Sequence, residues 1–296
     1  MAASVELLSG ELRLLVYPEV GGSIGAFQLR REEAVQHLMR PAATAEISSS
    51  GALAMSSFPL VPYSNRVLGG RFEFGGRLVR QSPNMLPHEH PLHGHAWRAP
   101  FRVTYLERSR LVLEYEHAPG EWPWRYSAVQ SFALTDNSLS LTLSVENRSA
   151  EPMPAGLGLH PYFECNELTT LQANLPLIWR VQDFVPMALE AVTRGSDFRR
   201  PTKVCETSLD HCFEGWDGRA EIHWPDRGVR LRISSDTVCE RAVIYTPKGA
   251  SFFCFEPVSH ANDAFNSASR GDRKTGLRVL APGEKLATTT VFSVDS

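Results

Sequence analysis

Short runs of alternating or continuous apolar residues, broken by Gly, Pro, Asn and Asp, recur from one end of the chain to the other. Side chains of an extended strand point alternately to opposite faces, so such runs predict strands with one face buried. Residues 11–17, 23–29, 71–74, 101–105, 111–116, 126–134 and 138–147 have this character, as do 222–224, 228–234, 241–245, 251–255 and 287–294. The segment QSFALTDNSLSLTLSVEN predicts a hairpin, two period-two runs joined through Thr135-Asp136-Asn137-Ser138. Helical periodicity is scarce: residues 31–38 predict one short helix, and 20 scattered prolines interrupt longer ones. Many short strands separated by turns predict an all-β fold, a large antiparallel β-sandwich. With no linker, low-complexity tract or internal repeat, residues 1–296 are expected to form a single domain.

Charge and composition narrow the partners. The 30 basic and 33 acidic residues leave a formal charge of -3 with no long run of one sign, which argues against nucleic acid or an acidic membrane surface. No stretch approaches the roughly 20 apolar residues of a membrane helix, and the first twenty residues lack the apolar core of a signal peptide. A soluble, cytoplasmic protein is expected, with its oligomeric state open. Five cysteines, Cys165, Cys205, Cys212, Cys239 and Cys254, form no CxxC pair and suit reduced thiols packed as small apolar residues.

Four segments could carry chemistry. In Phe58-Pro-Leu-Val-Pro-Tyr-Ser-Asn-Arg66, two prolines hold an extended loop that delivers Asn65 and Arg66. The planar fork of an arginine suits neighbouring hydroxyls as well as a carboxylate. In His88-Glu-His-Pro-Leu-His-Gly-His95 an extended backbone over 92–97 would put His93, His95 and Trp97 on one face. That segment fits a sugar-binding edge, a solvated loop or a metal site, although no carboxylate or cysteine sits at a companion spacing for a metal. In Ala155-Gly-Leu-Gly-Leu-His-Pro-Tyr-Phe163 the side-chain-free Gly156 and Gly158 would leave a hollow beside His160. In Ser251-Phe-Phe-Cys-Phe-Glu-Pro-Val-Ser-His260 alternation places Phe252, Cys254 and Glu256 on one face, with Pro257 expected to stop the strand. A carboxylate among apolar neighbours has a raised pKa and makes a better base near neutral pH. Asp210, in LDHCF, is a further candidate.

Taken together, these segments resemble the aldose 1-epimerase (galactose mutarotase-like) family. FPLVPYSNR with GGRFEFGG, PLHGHAW, GLHPYF, LDHCF with GWDG, FEPVSHANDAFN and GLRVLAPGE occur in the family's order across most of the chain. The resemblance implies the galactose mutarotase-like super-sandwich, a small-molecule sugar substrate, and no metal or organic cofactor. It implies Glu256 as the base on the anomeric hydroxyl and His160 as the acid on the ring oxygen. His93 would assist there, while Arg66, Asn65 and Asp210 would hold other hydroxyls. The sequence departs from the galactose-processing members after His93-Gly94 and again at GEWPWRY, where Trp122 and Trp124 are candidates for a sugar-facing wall. Two other classes are compatible with the segments: a non-catalytic carbohydrate-binding sandwich, and a metal-dependent cupin-like enzyme built on the histidine cluster.

Overall fold

A computed structural model describes residues 3–31, 34–272 and 274–295 of the chain. It is nearly all β, 49% strand against 10% helix, and its two large sheets are antiparallel throughout, as the alternating pattern predicts. The nine-stranded sheet runs, in spatial order, Thr202–Lys203, Thr170–Ala173, Arg219–Trp224, Val229–Ser235, Lys285–Val294, Ser138–Asn147, Tyr126–Leu134, Arg110–His117 and Arg102–Glu107. The predicted hairpin lies within it, Tyr126 opposite Asn147 and Leu134 opposite Leu139. Period-two patterning drives this sheet into place. Leu139, Leu141, Leu143 and Val145 are buried, and each such side chain contributes about 1.5–3 kcal/mol of transfer free energy.

The eight-stranded sheet positions the candidate site. Its order is Val185–Ala191, Leu177–Gln182, Asp210–Glu214, Arg241–Tyr245, Phe252–Val258, Gly158–Leu159 and Pro59–Leu60, with Tyr162–Glu164 also paired to Phe252–Val258. Opposed residues in a ladder share a face. Asp210 opposes Tyr245, Tyr245 opposes Cys254, Val243 opposes Glu256, and Tyr162 opposes Cys254. These residues therefore stand on one side of the sheet, and the intervening Ala242, Ile244, Phe253 and Phe255 enter the main hydrophobic core on the other.

Two expectations about elements are corrected. The helix expected over 31–38 is not found in the described part of that stretch, residues 32 and 33 lying outside it: Ala34–His37 is a strand, hydrogen-bonded to the end of Ser23–Arg31 in a four-stranded sheet with Val5–Ser9 and Leu12–Tyr17. Pairing with an existing edge satisfies that backbone and outweighs a weak local preference for helix. Nor does Pro257 stop its strand, which continues to Val258 with Pro257 opposite Ala242. Only two short α-helices are present among the described residues, Ile47–Ser50 and Ala264–Ser269. No described helix is long and apolar enough to cross a membrane.

Candidate active site

The pocket-facing side of the eight-stranded sheet floors a cavity of about 520 Å³, which Arg66, His93, His160, Asp210 and Glu256 line together with Asn65. The six residues to which the resemblance gives roles meet here, although the chain separates the first from the last by nearly two hundred positions.

Glu256 is 3% exposed, and its Oε1 lies 3.4 Å from Nε2 of His160. Burial pushes the Glu256 carboxyl well above its ordinary range, the negative charge of Asp210 adds to this, and Arg66 opposes it. Burial drives the His160 imidazole the other way, down to about 3. The His160 ring is packed by Phe58 and Tyr162, with centroids 4.5 and 4.7 Å away, and its Nδ1 is buried without a partner among the described residues. Both groups are thus held toward their neutral forms, and the pair retains a single proton over a wide pH range.

Two loops deliver Arg66 and His93. The 58–66 loop and the 92–95 segment are zipped together by bridges between Val61 and Gly94 and between Arg66 and Leu92. Gly94 is required for this approach: its φ is +68°, and a Cβ there would sit 2.2 Å from the carbonyl oxygen of Val61. His93 also has a positive φ, 61°, and the backbone N–H of Asn65 donates to its Nδ1 at 3.1 Å. Burial keeps His93 neutral, helped by His160 and Arg66, so the ring's remaining proton is on Nε2 and available to an acceptor. Arg66 is fixed by Asn65 Oδ1, which accepts from Nη1 at 3.2 Å, by Asp210 Oδ2 at 3.7 Å, and by the Phe184 ring 3.9 Å from its guanidinium carbon.

Four details of the sequence-based expectations change. Residues 92–97 are not extended: the turn at His93-Gly94 and the 3₁₀ turn Ala96–Arg98 rotate successive side chains apart. His95 faces away from the pocket and stacks on His117, while Trp97 is buried against Phe58. The hollow beside Gly156 and Gly158 is filled. The ring of His260 occupies the space at Gly156, where a Cβ would fall 1.9 Å from its Cδ2, and Val258 and Leu60 close on Gly158. Trp122 and Trp124 are fully buried in the main core and do not line the cavity. Among the cysteines Cys212, Cys239 and Cys254 are buried as expected, but Cys165 is half-buried and Cys205 exposed.

Several lining residues escaped the sequence reasoning, among them Arg40, Phe184 and Tyr245. Tyr245 was legible only through register, as the cross-strand neighbour of Asp210 and Cys254. Asn84 anchors the histidine loop from below, donating to Leu92 O and Gly94 O and accepting from the Leu92 N–H. Among the described residues, His160, Cys254 and Glu256 could present three ligand atoms within 4.8 Å of one another. The Cys254 thiol is held well above its ordinary pKa by burial and by Glu256, so its conversion to a ligating thiolate is disfavoured.

Residues 4–293 match the family model described as aldose 1-epimerase, and the chain belongs to that family. It is 35% identical over 266 residues to YphB of Escherichia coli (strain K12), covering 87% of this chain and 88% of the relative. YihR of the same organism is 25% identical over 220 residues, 70% and 71% of the two chains. Among solved structures, a candidate aldose 1-epimerase from Escherichia coli K12 superposes with a TM-score of 0.89 at 31% identity over 99% of both chains. A galactose mutarotase-like protein from Clostridium acetobutylicum has a TM-score of 0.87 at 17% identity, covering 99% of this chain and 95% of its own, and shows the shared fold.

Proposed function

We propose that the protein is a cofactor-free aldose 1-epimerase that interconverts the α and β anomers of an aldose by opening and reclosing the sugar ring. The observation that carries this reading is the buried pair of His160 and Glu256, 3.4 Å apart, in a pocket that also holds Arg66 and Asp210. Anomer exchange removes the proton from the C1 hydroxyl while a proton is given to the ring oxygen. The C1–ring-oxygen bond then breaks to leave a free aldehyde and a new hydroxyl. Rotation about C1–C2 presents the other aldehyde face, and the same transfers run backwards close the ring. Glu256 is the base on the anomeric hydroxyl and His160 the acid on the ring oxygen.

The reactive form places the pair's single proton on His160 and the negative charge on Glu256. Arg66 favours that charge. His93, with its proton on Nε2, donates to the ring oxygen or a neighbouring hydroxyl, while Arg66, Asn65 and Asp210 hold the remaining hydroxyls. Each positioned acid or base typically contributes about 10²- to 10⁴-fold, and confinement of the open-chain sugar adds an orientation effect. The overall reaction is proton-neutral and redox-neutral.

Polarimetry on freshly dissolved neutral and anionic aldoses tests the proposal, the expected result being accelerated equilibration of at least one. Sugar binding without acceleration of any of them would instead identify a non-catalytic carbohydrate-binding protein.

A further inference from the structure

Arg40 follows the strand Ala34–His37 and is half-buried at the wall of the same pocket. Its Nη2 donates to the carbonyl oxygens of Leu53 and Met55 at 3.1 and 2.9 Å. Its guanidinium carbon lies 3.9 Å from the Tyr162 ring centroid and 4.9 Å from that of Phe252. Two carbonyls and two aromatic rings therefore fix the plane of the group. Arg66 has a carboxylate partner in Asp210, but among the described residues no carboxylate comes within 4.0 Å of Arg40. A purely structural clamp would need only Nη2. Nε and Nη1 make no hydrogen bond to the described residues, which leaves an oriented, charged edge beside the cavity.

The two arginines serve different parts of the pocket. Arg66 stands between Asp210 and the Phe184 ring, whereas Arg40 packs on Tyr162, whose other neighbour is the His160 ring, 4.7 Å away between centroids. A pyranose ring oxygen is bonded to C1 and C5, and in a hexose C5 carries the exocyclic carbon C6. With the anomeric hydroxyl at Glu256 and the ring oxygen at His160, the next group beyond His160 is the C6 substituent. We propose that Arg40 is a specificity-determining residue that binds an anionic group on C6, so the preferred substrates are aldohexoses carrying a carboxylate or a phosphate there. This inference rests on the anomer-exchange reading for the orientation of the sugar. A preorganised guanidinium fork matches either anion, and its hydrogen bonds to a charged acceptor are stronger than those to a hydroxyl.

The test compares wild type with Arg40→Gln and Arg40→Lys on glucose, glucuronate and glucose 6-phosphate. Anomer exchange is followed by NMR, and binding of each sugar by calorimetry. Wild type is expected to favour at least one anion over glucose in kcat/KM, and Arg40→Gln to reduce that preference by about tenfold or more. Arg40→Lys should retain part of it, and added salt should erode it in the wild type. The glucuronate and phosphate arms tell which anion is preferred. A wild type that handles glucose as well as either anion overturns the proposal, as does a Gln variant that slows all three sugars alike. Arg40-dependent binding of an anionic sugar without accelerated exchange supports the anion site and sinks the epimerase reading. Rapid exchange of glucose with no anion preference does the reverse.

Discussion

Glu256 and His160 face each other across 3.4 Å from a strand and from the segment beside it, both nearly sealed from solvent. Glu256→Gln preserves the shape and removes the proposed base. Its kcat is expected to fall about 10²-fold or more while sugar binding stays within roughly tenfold. His160→Asn should also lower kcat, and the two losses should be less than additive because they serve one proton exchange. A folded Glu256→Gln enzyme that equilibrates anomers at nearly the wild-type rate would falsify the assignment.

The pH dependence of kcat follows from the single proton held by the pair. Uptake of a second proton neutralises Glu256 while His160 is charged, so activity falls on the acid side. Loss of the shared proton leaves no acid, so activity falls again as pH rises through the elevated upper step, which belongs to the pair. Rate measurements across the folded range should give a plateau with both limbs. An activity that keeps rising into alkali would show that the shared proton is not used.

Stability should respond to the same shifts in opposite senses. Glu256 has a folded pKa above its unfolded one, so its contribution is present in acid and is lost as pH rises through the folded value. Glu256→Gln should consequently raise Tm relative to wild type at alkaline pH. The rings of His93, His95, His160 and His260 are depressed by burial, the last to about 4, so their contribution is present above pH 6.5 and lost as pH falls. Each imidazole contributes a slope of up to about 1.4 kcal/mol per pH unit. Thermal melts of wild type and Glu256→Gln from about pH 10 to 4 check both signs, and a wild-type Tm insensitive to acid would contradict the buried-neutral assignment.

Arg66 is assigned to holding hydroxyls, so Arg66→Ala should raise KM substantially, with a smaller fall in kcat from the lost field on Glu256. The variant also uncovers Phe184, which now stacks on the guanidinium. Kinetics indistinguishable from wild type would remove Arg66 from the site.

Activity is expected to survive exhaustive chelation, because the only described three-donor group depends on a buried thiol that resists ionisation. Loss of turnover in EDTA, restored by a single divalent metal, would replace the proton-transfer scheme.

Much of this was legible in the chain because a strand has a period of two. Alternation alone placed Cys254 and Glu256 on one face, and the observed ladder keeps them there. The hairpin around Asp136 was equally plain, since its two runs are adjacent in sequence. Local pattern failed where the backbone leaves extended geometry. The positive φ of His93 and Gly94 separates His93 from His95, and nothing in period-two reasoning anticipates such a turn. It failed also where a distant side chain fills a space: the emptiness inferred beside Gly156 is occupied by His260, about a hundred residues away. Arg40, Phe184 and Tyr245 share a pocket through strand register and loop closure, which no single segment contains.

The 58–66 loop ends in two consecutive peptide groups that each hold an imidazole: Ser64 N–H donates to Nε2 of His260 at 3.0 Å, and Asn65 N–H donates to Nδ1 of His93. One stretch of main chain therefore acts as a jig for two rings that come from segments 28 and 196 residues further along the chain. For redesign, this divides the pocket into a chassis and exchangeable fittings. Proline at 64 or 65 would remove a peptide hydrogen and release a ring, whereas the side chain of Ser64 takes no part in that grip. Attempts to retune sugar choice have their natural freedom at the side chains of Leu53 and Met85, which line the cavity without holding either ring or Arg66.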